Sequence, residues 1–85
     1  MDDKADFYLD ITTEVCPMTF VRVKLLVERM NLGQTAEIRL KGGEPLANVP
    51  RSVREEGHEI LVLAPEAGES ADGVHCLLFR KGKRA

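Results

Sequence analysis

Cys16 and Pro17 stand side by side where an alternating apolar segment gives way to a helical one. Proline is tolerated in the first helical position because its missing N–H would have had no intrahelical partner. That placement makes Cys16 the N-cap, its sulfur beside the unpaired N–H groups and the positive end of the helix dipole. Cysteine is a poor cap compared with Ser, Thr, Asp or Asn. A thiol in that setting is biased toward thiolate, below the free pKa of ~8.5. The chemistry these two residues predict is that of a nucleophilic sulfur presented at a helix start.

The residues around the pair either assist such a sulfur or are ordinary surface. Met18 is an adaptable apolar rim for docking or a core residue. Thr19 offers a hydroxyl donor in the first turn or is a surface position without a role. Arg22 and Lys24, further along the helix, attract an acidic partner surface or are plain solvated charges. Lys41, Gly42 and Gly43 form a turn after the second strand, and C-terminal ends of parallel strands share one end of a sheet. That turn is therefore expected beside Cys16, as a second contact point.

The other candidate groups read more plainly. Cys76 lies among Val74, Leu77, Leu78 and Phe79, where a thiol behaves as a small hydrophobe, and a resolving-thiol role is the lesser reading. His58 and His75 read as turn or strand-face residues without the context of a general base. Neither has ligand-like spacing to a cysteine, so no metal site is predicted.

The elements that must position these residues follow from periodicity. Asp6 to Ile11 alternates, with Phe7, Leu9 and Ile11 on one face and Tyr8 and Asp10 on the other, as in a half-buried strand. Pro17 to Asn31 repeats Phe20, Val23, Val27 and Met30 at helical spacing, widened by Leu26, and Gly33 follows as a terminator. Thr35 to Leu40 is a second alternating strand with Ala36, Ile38 and Leu40 inward. Glu44-Pro45 opens a second helix, distorted at Pro50 or starting only near Asn48, which ends at Gly57. Glu59 to Ala64 is apolar enough to be a central strand. Pro65 to Gly73 is a loop, and Val74 to Arg80 is a fourth strand. The order β-α-β-α-β-β predicts an α+β fold: a two-layer α/β sandwich, with a four-stranded mixed sheet and two helices on one face.

Composition bounds the function. Eighty-five residues suffice for one small domain, expected to span 1–85 with 1–5 and 82–85 as flexible ends. A net charge of -2 carries no global signal for nucleic acid, and the basic run Arg80, Lys81, Lys83, Arg84 reads as a solvated tail. No apolar run approaches the roughly 20 residues that span a bilayer. The acidic start Met1-Asp2-Asp3-Lys4 is unlike a signal peptide, so a cytoplasmic protein is expected, one in which two thiols stay reduced.

With the strand–Cys16-Pro17–helix junction, Phe20-Val21-Arg22-Val23-Lys24, Gly33, Val49-Pro50 and the closing Arg80-Lys81-Gly82, the chain resembles the TusA/SirA-like family of small sulfur carriers from about Tyr8 to Lys81. It differs in having Thr19 where a second proline is usual, Thr13 where a glycine is common, and Lys41-Gly42-Gly43-Glu44-Pro45 in the turn after the second strand. The resemblance implies a four-stranded sheet bearing two helices, and a persulfide carried on Cys16. It implies sulfur arriving from a cysteine desulfurase or another sulfurtransferase and passing to an acceptor protein by direct contact. No cofactor is implied beyond that transient sulfur, and no membrane or direct nucleic-acid partner. Two rival readings stand beside the carrier. One is a non-catalytic interaction or regulatory module docking through Lys41 to Pro45; the other is a thiol-redox protein pairing Cys16 with Cys76.

Overall fold

A computed structural model describes residues 5–14, 18–66, 68 and 73–82. The elements are β1 (Phe7–Asp10), α1 (Met18–Arg29), β2 (Thr35–Lys41), α2 (Glu44–Glu55), β3 (Glu59–Pro65) and β4 (Val74–Arg80). They form an α+β fold in which one four-stranded mixed sheet carries both helices. The molecule is 18 Å through its thinnest dimension, room for one sheet and one helical layer.

The strand order is β1-β2-β4-β3. β1 runs parallel to β2 with Leu9 opposite Ile38, and β4 runs antiparallel to both β2 and β3. Side-chain alternation divides the sheet as the sequence predicts. Ala36, Ile38 and Leu40 of β2 and Leu77 and Phe79 of β4 are fully enclosed beneath the helices, while Glu37, Arg39 and Cys76 look out from the other face. The helices close the core with Val23 and Leu26 from α1 and Val49 and Val53 from α2. Each fully buried side chain of this size contributes about 1.5–3 kcal/mol.

Two expectations need correction. β3 is not central: β4 returns as a hairpin and inserts between β2 and β3, leaving β3 at an edge. Its apolar run is consequently wet, with Val62 47% exposed, and its register against β4 shifts between Ile60 and Val62. Of the two readings of α2, the late start near Asn48 is the one overturned: Glu44-Pro45 opens the helix. It is assigned as one helix from Glu44 to Glu55, with Pro50 buried on the side that packs inward. Proline forgoes one backbone hydrogen bond there, and burial of Val49 and Val53 on either side holds the turn in place.

α2 ends in a Schellman arrangement. Gly57 N–H donates to the carbonyl of Arg54 and His58 N–H to that of Val53, with Gly57 at φ 95°. The start of the closing segment is tied down as well. Lys81 Nζ donates to the carbonyls of Val27 at 2.9 Å and Met30 at 2.8 Å, placing a cation at the negative end of α1. Gly82 N–H donates to His58 Nδ1 at 3.1 Å.

Candidate functional site

Because β1 and β2 are parallel, their C-terminal ends lie at the same end of the sheet. The chain leaves β1 through Ile11 to Glu14 and reaches α1 at Met18. It leaves β2 through Gly42-Gly43 and reaches α2 at Glu44. Both helices therefore present their N-termini, the positive ends of their dipoles, to that one end. α1 has no acidic residue in its first turn to offset this, whereas α2 has Glu44.

Ion pairs and turn bonds fix this end. Ile11 N–H donates to the carbonyl of Arg39 at 2.9 Å, extending the β1–β2 pairing by one residue. Asp10 accepts the backbone N–H of Thr12 at 2.9 Å and its hydroxyl at 2.7 Å. With Arg39 also beside it, these bonds hold the Asp10 carboxyl below the usual carboxylate range. Arg39 of β2 ties Asp10 of β1 to Glu66, the residue just past β3. Its Nη1 meets Asp10 at 3.1 Å, while Nε and Nη2 grip the Glu66 carboxylate at 2.7 and 3.2 Å. This fork is the geometry in which a guanidinium binds a carboxylate best.

Cys16 and Pro17, the centre of the sequence argument, lie outside the described residues. The residues on either side are described. Glu14 precedes the pair and Arg22 follows it, and the two meet at 3.4 Å, spanning it with an exposed ion pair. Met18 is 42% exposed at the start of α1, so it is not a core residue. Thr19 is fully buried, which removes the idle surface position from its two readings. It stands four and seven residues before Val23 and Leu26, on the buried face of α1. Lys41 is exposed at the end of β2. Gly42 N–H donates to the carbonyl of Gly73 at 2.9 Å, and Gly43 takes φ 91° immediately before α2, a conformation open to glycine. The Lys41-Gly42-Gly43 turn thus occupies the same end of the sheet as the segment leading to Cys16.

Cys76 is placed differently from a core cysteine. It is half-buried on the helix-free face, and its Sγ donates to Glu37 Oε2 at 2.9 Å. Burial and the adjacent carboxylate push its thiol up to about 12. Such a thiol is almost wholly protonated near neutral pH and is a weak nucleophile. Glu37 was not singled out from sequence, although its outward position in β2 was legible. His75 is buried with Nδ1 2.9 Å from the carbonyl of Gly73. His58 sits in the turn after α2, its ring 5.9 Å from that of Phe79. Among the described residues no three His, Cys, Asp or Glu side chains come together to hold a metal ion, and no helix is long and apolar enough to cross a membrane.

Comparison with known proteins places this arrangement. Residues 7–81 match the family model described as sulfurtransferase TusA, a span from the start of β1 to just past β4. The chain belongs to the TusA sulfurtransferase family. Within reach of that family is a proposed sulfur carrier protein of Archaeoglobus fulgidus, 43% identical over 58 residues. Those residues cover 68% of this chain and 66% of the relative, so the match spans just under two thirds of the relative's length. A crystal structure of a SirA-like protein from Desulfitobacterium hafniense has the same fold, with a TM-score of 0.72 over 91% of this chain and 99% of that one. At 17% identity that likeness speaks for the fold alone.

Proposed function

We propose that this protein is a sulfur carrier that holds sulfane sulfur as a persulfide on Cys16 and hands it to a second protein. Family membership and the Archaeoglobus relative supply the class of activity. The choice of sulfur-bearing residue rests on one observation: of the two cysteines in the chain, Cys76 is held as a protonated thiol against Glu37. That makes Cys16 the better nucleophile. Its position two residues before α1, whose first turn carries no acid, supports stabilisation of an anionic sulfur there.

The transfer needs no external oxidant. The Cys16 thiolate attacks the outer sulfur of a donor persulfide, R–S–SH. A new S–S bond forms to Cys16 as the donor S–S bond breaks, and the donor leaves as a thiolate. The proton stays with the moved sulfur. Delivery repeats the step, with an acceptor thiolate attacking the outer sulfur and Cys16 departing. Donors of this chemistry are cysteine desulfurases and other sulfurtransferases. A cytoplasmic setting, where thiols stay reduced, suits such a carrier. Met18, Arg22 and the Lys41-Gly42-Gly43 turn form the rim that a partner meets, with Pro17 next to the sulfur-bearing residue in sequence. Thr19, being buried, supports that rim from beneath.

Incubation with a cysteine desulfurase and cysteine should raise the intact mass by one sulfur atom, reversibly on reduction. Cys16→Ser should abolish the gain and Cys76→Ser should keep it. Sulfur that follows Cys76, or remains after Cys16→Ser, overturns the assignment.

A further inference from the structure

β1 forms one edge of the sheet, and the free side of that edge runs beside α1. Between them lies a groove of about 240 Å³ lined by Tyr8, Leu9, Arg22, Leu25, Leu26 and Arg29. Tyr8 is 59% exposed and Leu25 54%, large apolar surfaces left in water beside an unpaired strand. The backbone there is available too. Ile11 N–H is committed to Arg39 of β2, and alternation turns the Phe7 and Leu9 groups the same way. The N–H and C=O groups of Tyr8 and Asp10 therefore point outward along the open edge.

On the α1 side of this groove the charges have one sign, whereas Tyr8 faces Asp10, Glu37, Arg39 and Glu66 on the helix-free side. Both charged lining residues are arginines. Arg29 makes no ion pair among the described residues, and Arg22 has only its 3.4 Å exposed contact with Glu14. The acids flanking β1 are engaged elsewhere: Asp6 accepts from Thr35, and Asp10 from Thr12 and Arg39. A second copy of this chain is a poor occupant, because pairing β1 with its twin would bring four arginines together.

We infer that the β1–α1 groove binds an extended acidic segment of a partner protein, added to β1 as a fifth strand. Its main chain bonds Tyr8 and Asp10, its apolar side chains on one face settle on Tyr8, and its carboxylates on the other face, toward α1, reach Arg22 and Arg29. This is strand addition with charge selection. It shares Arg22 with the rim proposed above but does not depend on Cys16, so its failure would leave the sulfur-carrier reading standing.

The test is an NMR titration of the full-length, isotope-labelled Cys16→Ser protein with a capped peptide, Asp-Leu-Glu-Val-Asp-Leu-Glu. Saturable binding is expected, with amide shifts centred on Tyr8 and Asp10 and affinity that weakens as salt is raised. Arg29→Glu should weaken binding about tenfold or more and Arg29→Gln by less, each with an otherwise native spectrum. Arg54→Glu, on α2 and outside the groove, should leave it unchanged. The inference is overturned by an absence of saturable binding, by equal affinity for the same peptide with lysine at its acidic positions, or by shifts centred on another edge. Self-association through β1 would overturn it in favour of a second copy.

Discussion

The Cys76 thiol reaches diagonally across from β4 to donate to Oε2 of Glu37 on β2, 2.9 Å away, on the sheet face that no helix covers. The carboxylate and the thiolate cannot comfortably share that spot, so the proton stays on sulfur.

Replacing Glu37 with glutamine keeps the shape and removes the charge. In a Cys16→Ser background, the alkylation rate of Cys76 by iodoacetamide at constant pH should rise about tenfold or more, since each pKa unit recovered multiplies the thiolate fraction by about ten. Burial remains in the variant, so full recovery of an ordinary thiol is not expected. The raised thiol also bears on stability. A group whose pKa is higher folded than unfolded stabilises the fold below its unfolded value, and the gain fades as pH climbs above that value, here 9.0. Urea midpoints compared across that range should show a shallower alkaline decline in Cys76→Ala. An unchanged alkylation rate in Glu37→Gln would remove the carboxylate from this account.

His58 responds on the acid side. Burial, and then the nearby Lys81 charge, hold its imidazole below the ordinary 6.5, and its Nδ1 accepts the Gly82 N–H in the neutral form. The unfolded chain therefore takes up a proton first as pH falls through 6.5, and stability is lost below that point. Thermal melts from pH 7.5 to about 5 should show this decline, and His58→Gln, which retains an acceptor, should flatten it. Equal slopes in both proteins would show that other groups govern acid stability.

Gly82 is packed more tightly than its place near the end of the sequence suggests. A Cβ there would run into the backbone carbonyl oxygen of Gly57, in a turn whose conformation the Schellman bonds already fix. Gly82→Ala should therefore cost about 1–3 kcal/mol, the usual range for overpacking, measured as a lower urea midpoint at unchanged slope. Gly33→Ala makes a useful contrast. It meets no neighbour, so only its φ of 87° opposes the change.

The sheet was the most legible part of the sequence, because alternation in Phe7–Asp10 and Thr35–Lys41 already separates the two faces. The place of β3 was not legible. Ile60 to Ala64 carries the same apolar run whether both its faces are covered or it lies wet at an edge, and only the insertion of β4 decides between these. Thr19 was half legible: a hydroxyl reads as surface, yet the position shares the buried face of α1 with Val23 and Leu26. At the candidate site, parallel strands correctly foretold that the Lys41 turn would share an end with the chain leading to Cys16. The contact between Glu37 and Cys76 depends on the β2–β4 register, which no local pattern encodes.

The same insertion constrains biosynthesis. β4 emerges from the ribosome after β2 and β3, yet it joins β2 on one side and β3 on the other. A nascent chain that has reached only Pro65 holds two strands whose shared neighbour does not yet exist, and Ile38 and Leu40 still await Leu77 and Phe79. Long-range pairings of this kind form slowly and leave sticky edges open in the meantime. Cooperative folding thus waits on residues 74–80, and a stall or premature stop before them would release an incomplete, aggregation-prone sheet.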